Sequence, residues 1–190
     1  MALINTYVGQ KHLPEELVTA INPDYVNGPW IAGGAARCLY QDETINDVDI
    51  WVADDSQVLQ LINAFKTIGA VESFVTANAV SYDFWKDDHN WKLQIIIKNK
   101  FASLQHVYDY FDFTCCQVAT NGKGRFYMES NTKHDLDDRR LRLANFHEDG
   151  FLERWAKYTM YGFDMPFSEL KTYLNKKELV WSLGDGRSLY

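Results

Sequence analysis

No stretch of this 190-residue chain approaches the ~20 consecutive apolar residues of a membrane-spanning helix. The amino-terminal "MALINTYVGQKHLPEEL" also lacks a basic head followed by a long apolar run. No membrane contact is expected, and the natural location is cytoplasmic. Positive charge is in short supply: 19 Lys and Arg stand against 26 Asp and Glu, for a formal net charge of −7. That balance excludes the broad basic surface that non-specific nucleic-acid binding requires, so a polyanion would have to be held by a local patch. Cysteine is scarce. Cys38, Cys115 and Cys116 form an odd set with two members adjacent, which makes neither a disulfide framework nor a zinc spacing and suits a reducing compartment. The five histidines are scattered, without the HExxH spacing of a metal site. There is no internal repeat, low-complexity tract or Pro/Ser-rich linker, so one domain over residues 1–190 is expected. With 46% hydrophobic and 15% aromatic residues, that domain can bury a substantial core.

The pattern along the chain alternates helix and strand. "LPEELVTAINP" reads as a first helix that ends before Pro23, and "YVNGPWIAGG" enters an apolar strand. A short helix over Ala35–Tyr40 leads to "VDIWVA", a β-branched and aromatic run. "DSQVLQLINAFKTIGA" opens on a cap-like Asp55-Ser56 and places Val58, Leu61, Ile62, Phe65 and Ile68 on one helical face. "VESFVT", "AVSYDFW" and "WKLQIIIK" follow as a meander, the last two joined by the polar turn "KDDHN". "FASLQHVYDY" is a helix, and "FDFTCCQVAT" a strand that turns at "NGKG" into "RFYMES". "TKHDLDDRRLRL" and "EDGFLERWAKYTMYGF" are helical. The expected class is α/β (α+β): a mixed sheet flanked by helices, with a core over about 25–130 and a helical segment over about 131–190.

Chemistry concentrates in "PWIAGGAARCLYQDETINDVDIWVA" (Pro29–Ala53). Alternation along a strand sends Asp47 and Asp49 to one side while Val48 packs beneath them. Two carboxylates so close repel unless a cation lies between them. Hard divalent ions such as Mg²⁺ or Mn²⁺ take oxygen ligands, and this arrangement suits phosphoryl or nucleotidyl transfer. Upstream, Gly33 and Gly34 stand where a strand turns into a helix, so a triphosphate can approach backbone amides at the positive helix end; Arg37 follows as a charge-assisted contact.

In this order, "GGAARCLYQDETINDVDIWV" resembles the "GG…R…DxD" signature of the polymerase-β nucleotidyltransferase superfamily, specifically the head domain of CCA-adding enzymes and bacterial poly(A) polymerases. "FDFTCCQVAT" is similar to that family's "RRDFTINA" segment, "HDLDDRRLRL" to its "DL…R.IR" segment, and "EDGFLERWAKYTMYGF" loosely to the helix ending in "GF". The resemblance runs from Trp30 to Phe163. It implies a polymerase-β-like fold, an NTP substrate, metal on Asp47 and Asp49, triphosphate contacts at Gly33, Gly34 and Arg37, and Asp112 as a further catalytic acid. Three departures accompany it. The neighbouring strand that normally carries a third carboxylate offers Gln94, an uncertain third ligand because an amide oxygen binds metal without charge. Tyr110-Phe111 replace the "RR" before the "DFT" segment. In place of the base-reading "EDxxR" stands "EDGFL", with Leu152 at the arginine position and Arg154 two residues on as the candidate nucleotide contact. The long helical body that holds tRNA is also absent from this length.

The remaining cations read as self-paired surface: Lys133, His134, Arg139, Arg140 and Arg142 are interleaved with Asp135, Asp137 and Asp138, and Arg154 and Lys157 invite the same reading. The six tryptophans read as core. Cys115 and Cys116, on a strand, would face opposite sides. The function that follows is metal-dependent transfer of a nucleoside monophosphate from an NTP to a hydroxyl acceptor: an RNA or tRNA 3′ end, a protein or a small molecule. The alternative is a degenerate nucleotidyltransferase fold that binds a nucleotide or a partner protein. The compact head-only layout suits a phage-encoded protein.

Overall fold

The computed structural model describes residues 4–145, 150–171 and 175. An eight-stranded mixed sheet forms its centre, built from β1 (Asn5–Val8), β2 (Trp30–Ala32), β3 (Val48–Trp51), β4 (Val71–Val75), β5 (Ala79–Lys86), β6 (His89–Ile96), β7 (Val118–Thr120) and β8 (Arg125–Met128). The spatial order is β1-β8-β7-β2-β3-β6-β5-β4. Every neighbouring pair is antiparallel except β3 and β6. The helices are α1 (Glu15–Ile21), α2 (Gly34–Tyr40), α3 (Asp55–Thr67), α4 (Leu104–Tyr108), α5 (Ser130–Asp137) and α6 (Phe151–Met160).

Strand alternation divides the core. Ile31, Val48, Ile50, Tyr82, Leu93 and Ile95 point to the face packed by α1, α2 and α3, where Leu17, Leu39, Leu61 and Phe65 meet them. Trp30, Ala32, Trp51 and Ala119 point to the other face, where Phe101 and the α4 residues Leu104, Val107 and Tyr108 cover them. The apolar period of α3 therefore does what its spacing implies, with Leu61 and Phe65 buried and Val58, Ile62 and Ile68 packed at the margin. Its cap is Asp54, one residue before the expected pair: the Asp54 carboxylate accepts from the Gln57 N–H at 3.0 Å. The β4–β5–β6 meander and the β7–β8 hairpin also form as read. Asp87 and Asp88 take the left-handed conformation between Lys86 and His89, as a two-residue hairpin turn requires.

Four expectations fail, each for a tertiary reason. β1 goes unrecognised because a four-residue edge strand of mixed polarity carries almost no period; its pairing with β8 makes it a strand. "FDFTCCQVAT" is a strand only from Val118. Before it, Thr114–Cys116 form a 3₁₀ turn, because the polar groups there bond out of the sheet. The Thr114 N–H donates to the Arg142 carbonyl at 3.0 Å, and the Ala144 N–H to the Asp112 carbonyl at 2.7 Å. Consequently Cys115 and Cys116 are both buried, with sulfurs 3.9 Å apart, rather than on opposite sides. The "DDRRLRL" helix stops at Asp137; Arg139 turns left-handed (φ 52°), and the chain then runs extended so that Leu141 enters the core. Finally, Trp85 is 68% exposed, as are Val71 (67%) and Phe74 (65%), because among the described residues no helix covers the outer strands on the α4 side.

Phe65 is fully buried and meets Tyr82 edge-on at 5.4 Å between ring centroids. Phe65→Ala is expected to lower the unfolding free energy by about 3–5 kcal/mol in urea denaturation, the cost of a large core cavity.

Candidate active site

Val48 is fully buried on the α2 side of β3, which leaves Asp47 and Asp49 half-buried on the opposite side with Trp51 beyond them. The Trp51 indole N–H donates to the Ala32 carbonyl at 3.3 Å and anchors that end of the row. In the parallel pairing of β3 with β6, Gln94 stands opposite Asp49, and in the β5–β6 pairing Ser81 stands opposite Gln94. Opposed residues of paired strands share a face, so Asp49, Gln94 and Ser81 form one row. The position where a third carboxylate was sought is thus next to Asp49 in space, and it carries an amide.

The Asp49 carboxyl is pushed up to about 7, chiefly by burial and then by the like charge of Asp47, with the Lys157 ammonium opposing both. A cation bound beside these carboxylates would favour their charged forms and bring the Asp49 carboxyl back down. Among the described residues no group of three or more His, Cys, Asp or Glu gathers around a common point. The donor set is therefore two carboxylates with the Gln94 amide oxygen beside them, hard oxygen chemistry that fits one divalent ion of the Mg²⁺ or Mn²⁺ type.

The two glycines do different work. Gly33 has φ 86°, and a Cβ there would lie 3.1 Å from the Phe111 ring; its N–H donates to the Val118 carbonyl at 2.9 Å. It makes the turn. Gly34 opens α2, where a Cβ would meet nothing within 4 Å, so the first-turn amides can be approached directly.

Arg37 does not stand beside them as a free cation. It is 3% exposed; Nη1 donates to Glu43 Oε2 at 2.5 Å and to Gln41 Oε1 at 3.1 Å, and the guanidinium lies 5.1 Å from the Tyr161 ring centroid, 5.6 Å from Phe163 and 5.9 Å from Tyr158. Nor is Asp112 a free acid: it is 7% exposed and held by Arg154 through two contacts, Nη2 to Oδ1 at 3.2 Å and Nε to Oδ2. Two residues read as catalytic acid and nucleotide contact are thus partners of each other. The surface pairing read for the remaining cations holds in part: Lys133 pairs with Asp137 on α5 and Arg142 with Asp135 at 3.1 Å, whereas Arg139 reaches Glu43. Leu152 is exposed on α6, while the acids preceding it in "EDGFL" lie outside the described residues.

The surface pairing read for Lys157 is not seen among the described residues. Lys157 is exposed on α6, and its charge lowers the proton affinity of both Asp49 and Cys38.

Removing one partner of a buried ion pair leaves the other uncompensated. Arg37→Gln is therefore expected to cost about 3 kcal/mol of unfolding free energy by urea denaturation; a solvent-facing phosphate contact would change stability by no more than about 0.5 kcal/mol.

Solved structures share this fold. A tRNA nucleotidyltransferase complexed with a primer tRNA and an incoming ATP analogue superposes with TM-score 0.56 at 18% identity, over 79% of this chain and 46% of that one. The Thermotoga maritima CCA-adding enzyme complexed with tRNA gives TM-score 0.54 at 16% identity, over 85% of this chain and 41% of that one. The expected mixed sheet with a nucleotidyltransferase-like head architecture is therefore correct. In sequence, the Gabija anti-defense 2 protein of Bacillus phage SPbetaL7 is 30% identical over 138 residues, 72% of this chain and 32% of that protein. The chain thus spans about a third of the length of this curated relative. The model of the Gabija anti-defense 2 family matches residues 10–139, more than half of the chain, and the chain belongs to that family.

Proposed function

We propose that this chain is a phage anti-defence protein that works as a nucleotidyltransferase head, moving a nucleoside monophosphate from an NTP to a hydroxyl acceptor. One observation carries the reading: Asp49 lies on β3 with Asp47 just before that strand, and burial and the Asp47 charge raise Asp49 to about 7, on a sheet of nucleotidyltransferase type. Asp47 and Asp49 would hold a divalent ion, which neutralises phosphate charge as the reaction proceeds. The open backbone at Gly34 admits the phosphates to the first-turn amides of α2. The acceptor hydroxyl loses its proton to solvent as its oxygen bonds to the α-phosphorus, and the bond from that phosphorus to the β-phosphate bridging oxygen breaks to release pyrophosphate. Positioning and charge neutralisation supply most of the acceleration. The acceptor is an RNA or tRNA 3′ end, a protein or a small molecule; the family name directs the search toward components of the bacterial Gabija defence.

A second reading has its own support. Gln94 stands where a third acid would complete the set, and Asp112 is held by Arg154, which favours a chain that binds a nucleotide or a partner protein without turnover. Incubation with each α-³²P-labelled NTP, Mg²⁺ and bacterial lysate separates the two. Label transferred to RNA, protein or a small product, and abolished in Asp47→Ala/Asp49→Ala, establishes transfer; NTP binding without transfer establishes the binding role.

The titration of Asp49 makes a second test. In the unfolded chain an aspartate loses its proton near pH 4, and in the folded chain Asp49 keeps it to about 7, so Asp49 weakens folding progressively across that interval and most above it. Without divalent ions, Asp49→Asn should melt higher than the parent at pH 8, and the two should converge toward pH 4. Mg²⁺ should raise the melting temperature of the parent at pH 8 and leave the variant unchanged.

A further inference from the structure

We propose that Lys92 of β6 is the acceptor-side cation of this site, meeting the attacking oxygen in place of a second metal ion, an assignment that rests on the nucleotidyltransferase reading above. Strand register supplies the placement. β3 and β6 pair in parallel, with Val48 opposite Leu93 and Asp49 opposite Gln94. Val48, Leu93 and Ile95 are fully buried toward the helices, so Lys92 and Gln94 emerge on the other face, the face of Asp49. Lys92 lies two residues before Gln94, as Asp47 lies two before Asp49. With paired strands about 4.8 Å apart and a rise of about 3.3 Å per residue, the Lys92 Cα stands about 8 Å from that of Asp49, within the sweep of a four-carbon stem.

The carboxylate on the other flank of Lys92 is already engaged. β5 sets Asp83 opposite Lys92, but Asp83 Oδ1 accepts from Asn90 Nδ2 at 3.0 Å. Lys92 is exposed, and among the described residues it makes no ion pair. Sheet order then decides which reactant it serves. β2, which leads into Gly33 and Gly34, borders β3 on one side, and β6 borders it on the other. The aspartates therefore lie between the glycine turn and Lys92. With the phosphates entering at the open backbone of Gly34, the leaving pyrophosphate lies toward that turn, and an in-line displacement brings the acceptor from the opposite flank. The charge of the donors agrees. Asp47, Asp49 and the Gln94 amide suit one divalent ion, and Asp112 is held by Arg154. Where a pair of metal ions would clamp the attacking and leaving oxygens, the ammonium takes the attacking side. The acceptor hydroxyl gives its proton to solvent, its oxygen, facing Lys92, bonds to the α-phosphorus, and pyrophosphate departs with the electrons of the broken bond.

The test compares Lys92→Met and Lys92→Arg with the parent in two measurements: transfer of label from each α-³²P-labelled NTP with Mg²⁺ in bacterial lysate, and equilibrium binding of the transferred NTP with Mg²⁺ to the purified chain. Lys92→Met is expected to slow transfer about a hundredfold, as removal of one preorganised group at a developing charge does. Its affinity for the NTP should equal that of the parent, which also shows that the variant is folded. Lys92→Arg keeps the charge and should recover most of the transfer. Unchanged transfer in Lys92→Met overturns the assignment. So does loss of NTP binding together with transfer, which puts the ammonium on the triphosphate or marks a structural role. Lys92→Arg no faster than Lys92→Met overturns it as well, because the charge is then not what acts. A parent that transfers label from no NTP overturns the nucleotidyltransferase reading itself and this assignment with it.

Discussion

A buried guanidinium organises the carboxyl-terminal half of this protein. Arg37 cannot stay charged in the interior without compensation, and the structure gathers that compensation from distant parts of the chain: Glu43 from the loop after α2, and the ring faces of Tyr158, Tyr161 and Phe163 from α6 and the turn beyond it. Glu43 in turn receives Arg139, whose guanidinium also lies over Phe163. The cost of leaving that charge uncompensated is what fastens α6 against α2. Once α6 is fastened there, Arg154 meets Asp112 and Tyr158 reaches Cys116. Residues that a motif would place against substrate have become the attachment of one element to another.

The aspartate pair depends on a different constraint, the one parallel pairing in the sheet. Because β3 and β6 run side by side in parallel, Asp49 and Gln94 fall opposite each other, and the site extends across the sheet as a row of short polar groups. α4 covers this face only over Trp30, Ala32, Trp51 and Ala119. Among the described residues nothing covers the face at Phe74 and Trp85, which are exposed. Asp49 is desolvated all the same: its neighbours are protein atoms and a second carboxylate, not water alone.

Fold and family give different kinds of information here. The solved structures that share the architecture are nucleotidyltransferases, but at 16% and 18% identity they speak for the arrangement of strands and helices. The family membership rests on sequence and sets the chain in the Gabija anti-defense 2 family, which has a relative in Bacillus phage SPbetaL7. The site is where the two meet. On β3 Asp49 stands opposite Gln94 of β6, an amide and not an acid, while Asp112 is paired with Arg154.

Much of the fold was legible because it rests on local periods: the apolar stripe of α3, the alternation of β5 and β6, and the glycine turn between β7 and β8 all form as their spacing implies. The Asp47–Val48–Asp49 alternation was equally readable, since strand geometry alone puts the outer two on one side. What the sequence could not reveal was partnership at a distance. Whether Arg37 faces phosphate or is covered by Glu43 and the rings of α6, whether Asp112 is free or held by Arg154, and whether "FDFTCC" pairs in the sheet or turns toward residues 142–145 are each decided by tertiary contacts. A residue's type and its spacing determine which interactions it can make; only the packed chain determines which partner is within reach, because a buried charge or hydrogen-bonding group takes whichever partner the tertiary structure sets beside it.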